Sequence, residues 1–333
     1  MKYELTSEKI KLYENTLYRI KALKSFGNVK KGELGGFIES EKNLTQYGDS
    51  WVYCNAKVCD NAKVCDSAKI YDNAIVSNDA RVCGKVCVRD NAKVYGNANI
   101  FGNSKIYGNA VVCDNVRMYN NARIYGNAYA WGNAKIYGEA RVHDKAVICD
   151  DAIVNDNARI YGNARIYDKA SVCGNSMVFD SAKLFDNAEV CDNAIIYGNA
   201  NAHGNAKISQ FQKIKNCSCD CDLSENLAES IRCQTGLGVF NDKVIAYKIV
   251  DENMCSFQDN NFKYELGKIA EEENPDMSNR SCASGLHFSN MNYWDYKEGI
   301  FLQAEIDIKD IITVQEGKIR CKKALITGVY KKG

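Results

Sequence analysis

Cys282 and His287 stand five residues apart in the segment Ser281-Cys-Ala-Ser-Gly-Leu-His-Phe-Ser289. A thiol held near an imidazole can act as a nucleophile with its own base, provided the fold brings the two within hydrogen-bond reach. The commoner role for a histidine between strands is a buried, hydrogen-bonded structural one. His143, in Arg-Val-His-Asp, is a second candidate base; His203, the third histidine of the chain, occupies an equivalent place in another repeat unit. Cys217, Cys219 and Cys221 alternate in Cys-Ser-Cys-Asp-Cys, with Cys233 downstream. On an extended strand that spacing puts three thiols on one side, although zinc sites more often use Cys-x2-Cys; a cysteine-tolerant connection is the alternative. No phosphate loop, carboxylate pair or metalloprotease helix is present, and no cofactor is expected.

The elements that position these residues are set by a six-residue repeat. Its apolar member falls at Val52, Val58, Val64 and onward at every sixth residue to Ile208, without an insertion. It is Val or Ile except at Met118, Ala130, Leu184 and Ala202. Two residues earlier stands Ala, replaced only by Ser50, Ser104, Ser176, Val86 and Val116. Val and Ile suit a strand and a core. Gly, Asp and Asn, which follow, tolerate left-handed backbone at a corner, and stacked Asn side chains can form amide ladders.

This pattern resembles the hexapeptide repeat of left-handed parallel β-helices, in which three short strands make one coil. The resemblance implies a mainly β protein with about nine coils over residues 50–209, rising about 4.8 Å per coil. Hexapeptide acyltransferases use a histidine near a subunit interface, which would give His143 that role. No loop interrupts the repeat to enclose an acyl donor, and flat faces do not make a concave substrate site.

Residues flanking each apolar position face outward, and every eighteenth residue returns to the same face. One face carries Lys69, Lys105, Arg123, Arg141 and Arg159 beside Tyr71, Tyr107, Tyr125, His143 and Tyr161. Rings beside cations suit an anionic, ring-containing ligand such as a nucleotide. Stacking that stabilises only the strands themselves is the commoner role. A second face carries Val111, Cys113, Tyr129, Trp131, Val147 and Cys149. So apolar a patch is expected to contact another subunit, a trimer being favoured, or a host protein. On the third face Cys65/Cys83 and Cys173/Cys191 lie one coil apart, within bridging distance.

Residues 1–49 lack the repeat and read as an N-terminal β cap, which covers the raw end of the solenoid. The stretch LYRIKALKSFGNVKKGELGGFIESEKNL, residues 17–44, followed directly by repeat units, resembles YdcK-like hexapeptide proteins of bacteria and prophages. After Ile208 the pattern stops, and residues 210–222 read as a junction. Residues 223–333 read as a small α+β domain, with a helix over 223–237 capped by Ser224 and strands over 243–250, 301–308, 310–315 and 323–330. Its A-Y-K strand, K-Y-E-L-G-K turn, R-S-C-A-S-G-L-H segment and I-D-I-K-D-I-I strand resemble a domain of phage proteins similar to the phage rIIB product. Gly-Leu-His-Phe-Ser also resembles the second-strand motif of ADP-ribosyltransferases, which would call on Tyr247 and Glu305.

The chain has 43 basic and 42 acidic residues, 16 cysteines and a net charge of +1. That balance argues against bulk electrostatic binding to nucleic acid and leaves room for a local stripe. The N-terminal stretch is charged throughout and does not read as a signal peptide. No stretch reaches membrane-span length. The cytoplasm, with its cysteines as thiols, is the expected setting. The function expected is non-enzymatic: a phage-type binding or scaffold protein in host interaction or counter-defence. An acyltransferase, an ADP-ribosyltransferase-like domain and a virion spacer are the alternatives.

Overall fold

A computed structural model describes residues 1–258, 262–278, 283–294 and 299–331. They form two compact units, Met1–Cys191 and Asp192–Gly333.

The first unit is a parallel β-solenoid. Two-residue rungs recur every six residues, from Trp51–Val52 to Glu189–Val190. Each rung pairs in parallel with the rung 18 residues on, as in Arg123↔Arg141 and Arg141↔Arg159. The Val/Ile and Ala positions line the interior, where Ile124, Val142, Ala140 and Ala158 are fully buried. Backbone amides bond along the axis; His143 N donates to Ile160 O at 3.0 Å. Every corner residue from Cys54 to Asp186 has a φ between 51° and 83°. Asp at a corner does more than tolerate this angle. Asp72 Oδ2 accepts from Asp90 N at 3.1 Å, and Asp90 Oδ2 from Gly108 N at 2.8 Å. The carboxylate thereby caps an amide of the next coil. The expected amide ladders are present: Asn73 donates to Asn91, Asn91 to Asn109 and Asn109 to Asn127, at 3.4, 3.2 and 3.0 Å.

Ahead of the coils, strands Tyr3–Leu12 and Asn15–Ala22 form an antiparallel hairpin. Strand Leu34–Ile38 pairs with the second of these and, in parallel, with rung Lys57–Val58. The Gly-Gly of the segment is a close approach: a Cβ on Gly36 would lie 2.5 Å from Ala56 O. Trp51 is fully buried, edge-on to Tyr3 and Phe26. By repeat position it belongs to the outer ring-and-cation face; aromatic residues ahead of the repeat cover it instead.

Cys65 and Cys83 are joined in a disulfide, with Cα atoms 4.7 Å apart. This corrects the expectation of separate thiols: the parallel register stacks both side chains on one face, one coil apart.

In the second unit the coil continues beyond Ile208. Strand Ile195–Tyr197 pairs in parallel with Lys213–Lys215, and Asn201–Ala202 with Ser218–Cys219. Ile214 keeps the six-residue spacing and is fully buried. Gln212 in the Ala position is what hid the extra rung. The helix is Leu227–Thr235; its N-cap is Asn226, which accepts from Glu229 N, and Gly236 ends it in the left-handed conformation. Ser224 instead donates to Asp222. Five antiparallel strands follow in the order Val239–Phe240, Lys243–Val250, Ile300–Asp307, Lys323–Lys331, Ile269–Glu271. A second antiparallel sheet has the order Leu286–Phe288, Lys318–Cys321, Ile311–Gln315. Among the described residues no helix is long and apolar enough to cross a membrane.

Candidate functional site

The parallel register turns the six-residue repeat into columns. Tyr107, Tyr125, His143, Tyr161 and Phe179 form one continuous stack, with centroids 4.7, 4.7, 5.1 and 4.8 Å apart and planes within 14°. The Arg89 guanidinium lies 4.8 Å over the Tyr107 ring. Tyr53 and Tyr71 stack separately at 4.3 Å. Each inner ring has both faces covered by its neighbours, so it offers a partner its edge and hydroxyl rather than a face. Burial raises the pKa of the Tyr125 and Tyr161 phenols. His143 is a rung of this stack, and its Nδ1 lies 3.2 Å from Asp144 Oδ1.

Beside the rings run Lys105, Arg123, Arg141 and Arg159, direct neighbours in register. None of them takes part in an ion pair among the described residues. Like charges placed side by side on a sheet repel. Lys69 stands apart from this run, between Trp51 and Cys87.

On the second face, Tyr129 and Trp131 are 48% and 40% exposed, but Val111, Cys113 and Cys149 only 7%, 8% and 7%. The exposed apolar surface is therefore narrower than the spacing suggests, because larger neighbours overlie the small side chains. Tyr95, for one, stands one coil from Cys113 on the same face. Trp131, Val147, Cys149, Arg165 and Tyr167 border a shallow cavity of about 300 Å³.

In the second unit, the three alternating thiols do not bring all their sulfurs within 4.8 Å of one another, and Cys217 and Cys219 both neighbour Cys233. Cys217 Sγ donates to Cys233 Sγ, on the helix, at 3.2 Å, while Cys219 Sγ donates to Cys221 O at 3.5 Å. Arg232 lies against both sulfurs of the first pair and is held by Glu229 and Ser218 O. The hydrogen bond shared with Cys233, with the Arg232 charge, lowers the Cys217 thiol to about 7. Burial pushes Cys221 up to about 11. Among the described residues, three metal-ligand atoms come within 4.8 Å of one another only at Cys65, Asp66 and Cys83, where the sulfurs are bonded to each other.

His287 lies on strand Leu286–Phe288 and is 8% exposed, and its buried Nε2 has no hydrogen-bond partner. Burial, then Lys318, Lys248 and Arg320, lower its pKa to about 3. Cys282, its candidate nucleophile, lies outside the described residues. Glu305 is paired with Lys243 at 2.5 Å and borders a different cavity from His287. The Tyr247, His287, Glu305 constellation is therefore not assembled. The cation cluster around His287 has no sequence signature, because Lys248, on one strand, and Lys318 with Arg320, on another, are both far from His287 in the chain.

Comparison with known families finds one match. Residues 68–84 and 158–174 fit the family model described as YdcK Beta solenoid repeat. Both segments lie in the coils of the first unit, and the chain is similar to that family there. No curated protein matches the chain.

Proposed function

We propose that this protein is a non-catalytic binding scaffold that engages an anionic partner along the Lys105–Arg159 column. The observation that carries the reading is the in-register run of four cations without a carboxylate partner among the described residues. Three coil steps span about 14 Å, enough for several charges of an extended polyanion. The flanking ring stack makes the surface stiff, so few side-chain rotamers are lost on binding. Ring edges and hydroxyls then serve as polar contacts rather than as stacking platforms.

The partner in this reading is a host macromolecule, in keeping with the resemblance to phage and prophage proteins, and Tyr129 with Trp131 mark the face for self-association. An acyltransferase reading gains nothing from His143, which sits between two rings on a flat face.

The test is retention of a single-stranded oligonucleotide, and separately of heparin, by the full chain at several salt concentrations. Replacing Arg123, Arg141 and Arg159 together by Gln should abolish retention while circular dichroism stays unchanged. Retention unaltered by that triple replacement would overturn the proposal, as would failure of the parent chain to hold either polyanion at low salt.

A further inference from the structure

The second unit holds cations where its interior ought to reject them. Lys248, on strand Lys243–Val250, is 5% exposed. Among the described residues its Nζ has no hydrogen bond or ion pair; it lies 5.8 Å from the Tyr264 ring centroid and 5.6 Å from that of Trp294. His287 is 8% exposed, with Nε2 unpartnered. Lys318 and Arg320, on the neighbouring strand, are 9% and 2% exposed, and His287 is in register with Arg320. Lys248 and His287 both line a cavity of about 220 Å³, together with Ser256, Tyr264 and Ser284. Among the described residues one carboxylate borders it, Glu272, whose Oε1 accepts from Asn274 N at 3.4 Å.

An ammonium out of water needs a counter-charge or it gives up its proton. Among the described residues Lys248 is the cation that lines this small polar cavity, while Lys318 and Arg320 act on His287 from the neighbouring strand; a positive potential there favours an anion. Hydroxyl donors and a neutral imidazole complete a set suited to oxyanion oxygens. We propose that this cavity binds a small dianion, the phosphoryl group of a phosphate or phosphomonoester, with Lys248 and His287 as its direct contacts. The directions of the titration shifts agree. Burial lowers Lys248 to about 8 and His287 to about 3, and a bound dianion opposes both shifts. The site does not depend on the polyanion reading of the solenoid.

The experiment is thermal unfolding and isothermal titration of the full chain with inorganic phosphate and with ribose 5-phosphate, against chloride of equal ionic strength. Phosphate should raise the melting temperature progressively, as binding to the folded state alone requires, and one of the two probes should bind more tightly. Lys248→Met should abolish the phosphate effect and, without phosphate, melt higher than the parent, because an uncompensated buried charge is gone. His287→Gln should weaken phosphate binding about tenfold, the loss of one charge-assisted hydrogen bond; it also serves if Lys248→Met fails to fold. The Arg123, Arg141, Arg159 replacement should leave phosphate binding intact, which separates the two proposals. No phosphate-specific shift in the parent chain, or an undiminished shift in both cavity variants, would overturn the inference.

Discussion

Neutralising one member of the cation column should stabilise the solenoid. Arg141 lies between Arg123 and Arg159 in register, and successive coils are 4.7 Å apart at Cys65 and Cys83. Two charged tips about 5 Å apart in water repel by about 0.8 kcal/mol. Two neighbours give about 1.6 kcal/mol, cut to roughly 0.9 at physiological salt, where the Debye length is about 8 Å, and to roughly 1.4 at 0.01 M. Arg141→Gln keeps most of the aliphatic stem, so packing loss takes back only a few tenths of about 1 kcal/mol. Calorimetry of the parent and variant at both salt concentrations measures this. The variant should melt higher, and its advantage should shrink as salt rises. A variant that melts lower would refute the reasoning, because it would mean that the column is held by attraction. A gain independent of salt would refute it too, by showing that the gain is not electrostatic.

Three further outcomes follow from the geometry. Asp144→Ala removes the carboxylate that accepts from Gly162 N at 3.1 Å and leaves a non-glycine residue at φ 59°; the cost should be about 1–2 kcal/mol in urea unfolding. The folded-state pKa of Asp144 and Asp60 is lowered, so their contribution is present above the ordinary carboxylate range and is lost as pH falls through it, from about pH 4 downward. A pH–stability profile should flatten there in the Asp144→Ala variant. Gly36→Ala places a methyl 2.5 Å from Ala56 O and should cost about 2 kcal/mol or more, detectable as a lowered melting temperature with proteolysis beginning before residue 50. Cys217, lowered to about 7, should alkylate with iodoacetamide at neutral pH faster than Cys221; Arg232→Gln should move its midpoint up, and labelling without that ordering would remove Cys217 from consideration as a reactive thiol.

The coil was legible because a period of six fixes both the core and the faces, and two-residue rungs leave no freedom of register. The strands of the second unit were legible from their apolar runs; Lys243–Val250 has the bounds its sequence suggests. Three kinds of feature were not legible. Trp51 reads as an outer residue until non-repeating segments cover it. Val111, Cys113 and Cys149 face outward by position, yet larger side chains on neighbouring coils screen them, and position does not encode height. The Lys248 and His287 cavity and the Cys217–Cys233 contact join residues far apart in the chain, so no spacing announces them. The role of Asp at the corners could have been inferred: Asn and Gly also accept the backbone angle, but an ionised carboxylate adds an acceptor for the next coil's amide.

The corner rule and the core rule both operate on six residues, whereas the faces repeat on eighteen. Losing one hexapeptide from the middle of the first unit would still leave Val or Ile inside, Ala beside it and a left-handed corner after it. Every downstream side chain, however, would turn by a third of a revolution, and Arg159 would take the place of Ile153, in line with Arg117 and Lys135. Losing three hexapeptides would shorten the column by one step and keep it straight. Folding therefore tolerates indels in sixes, and unbroken columns require them in eighteens. A run of four cations aligned on one face is information that the core never demanded.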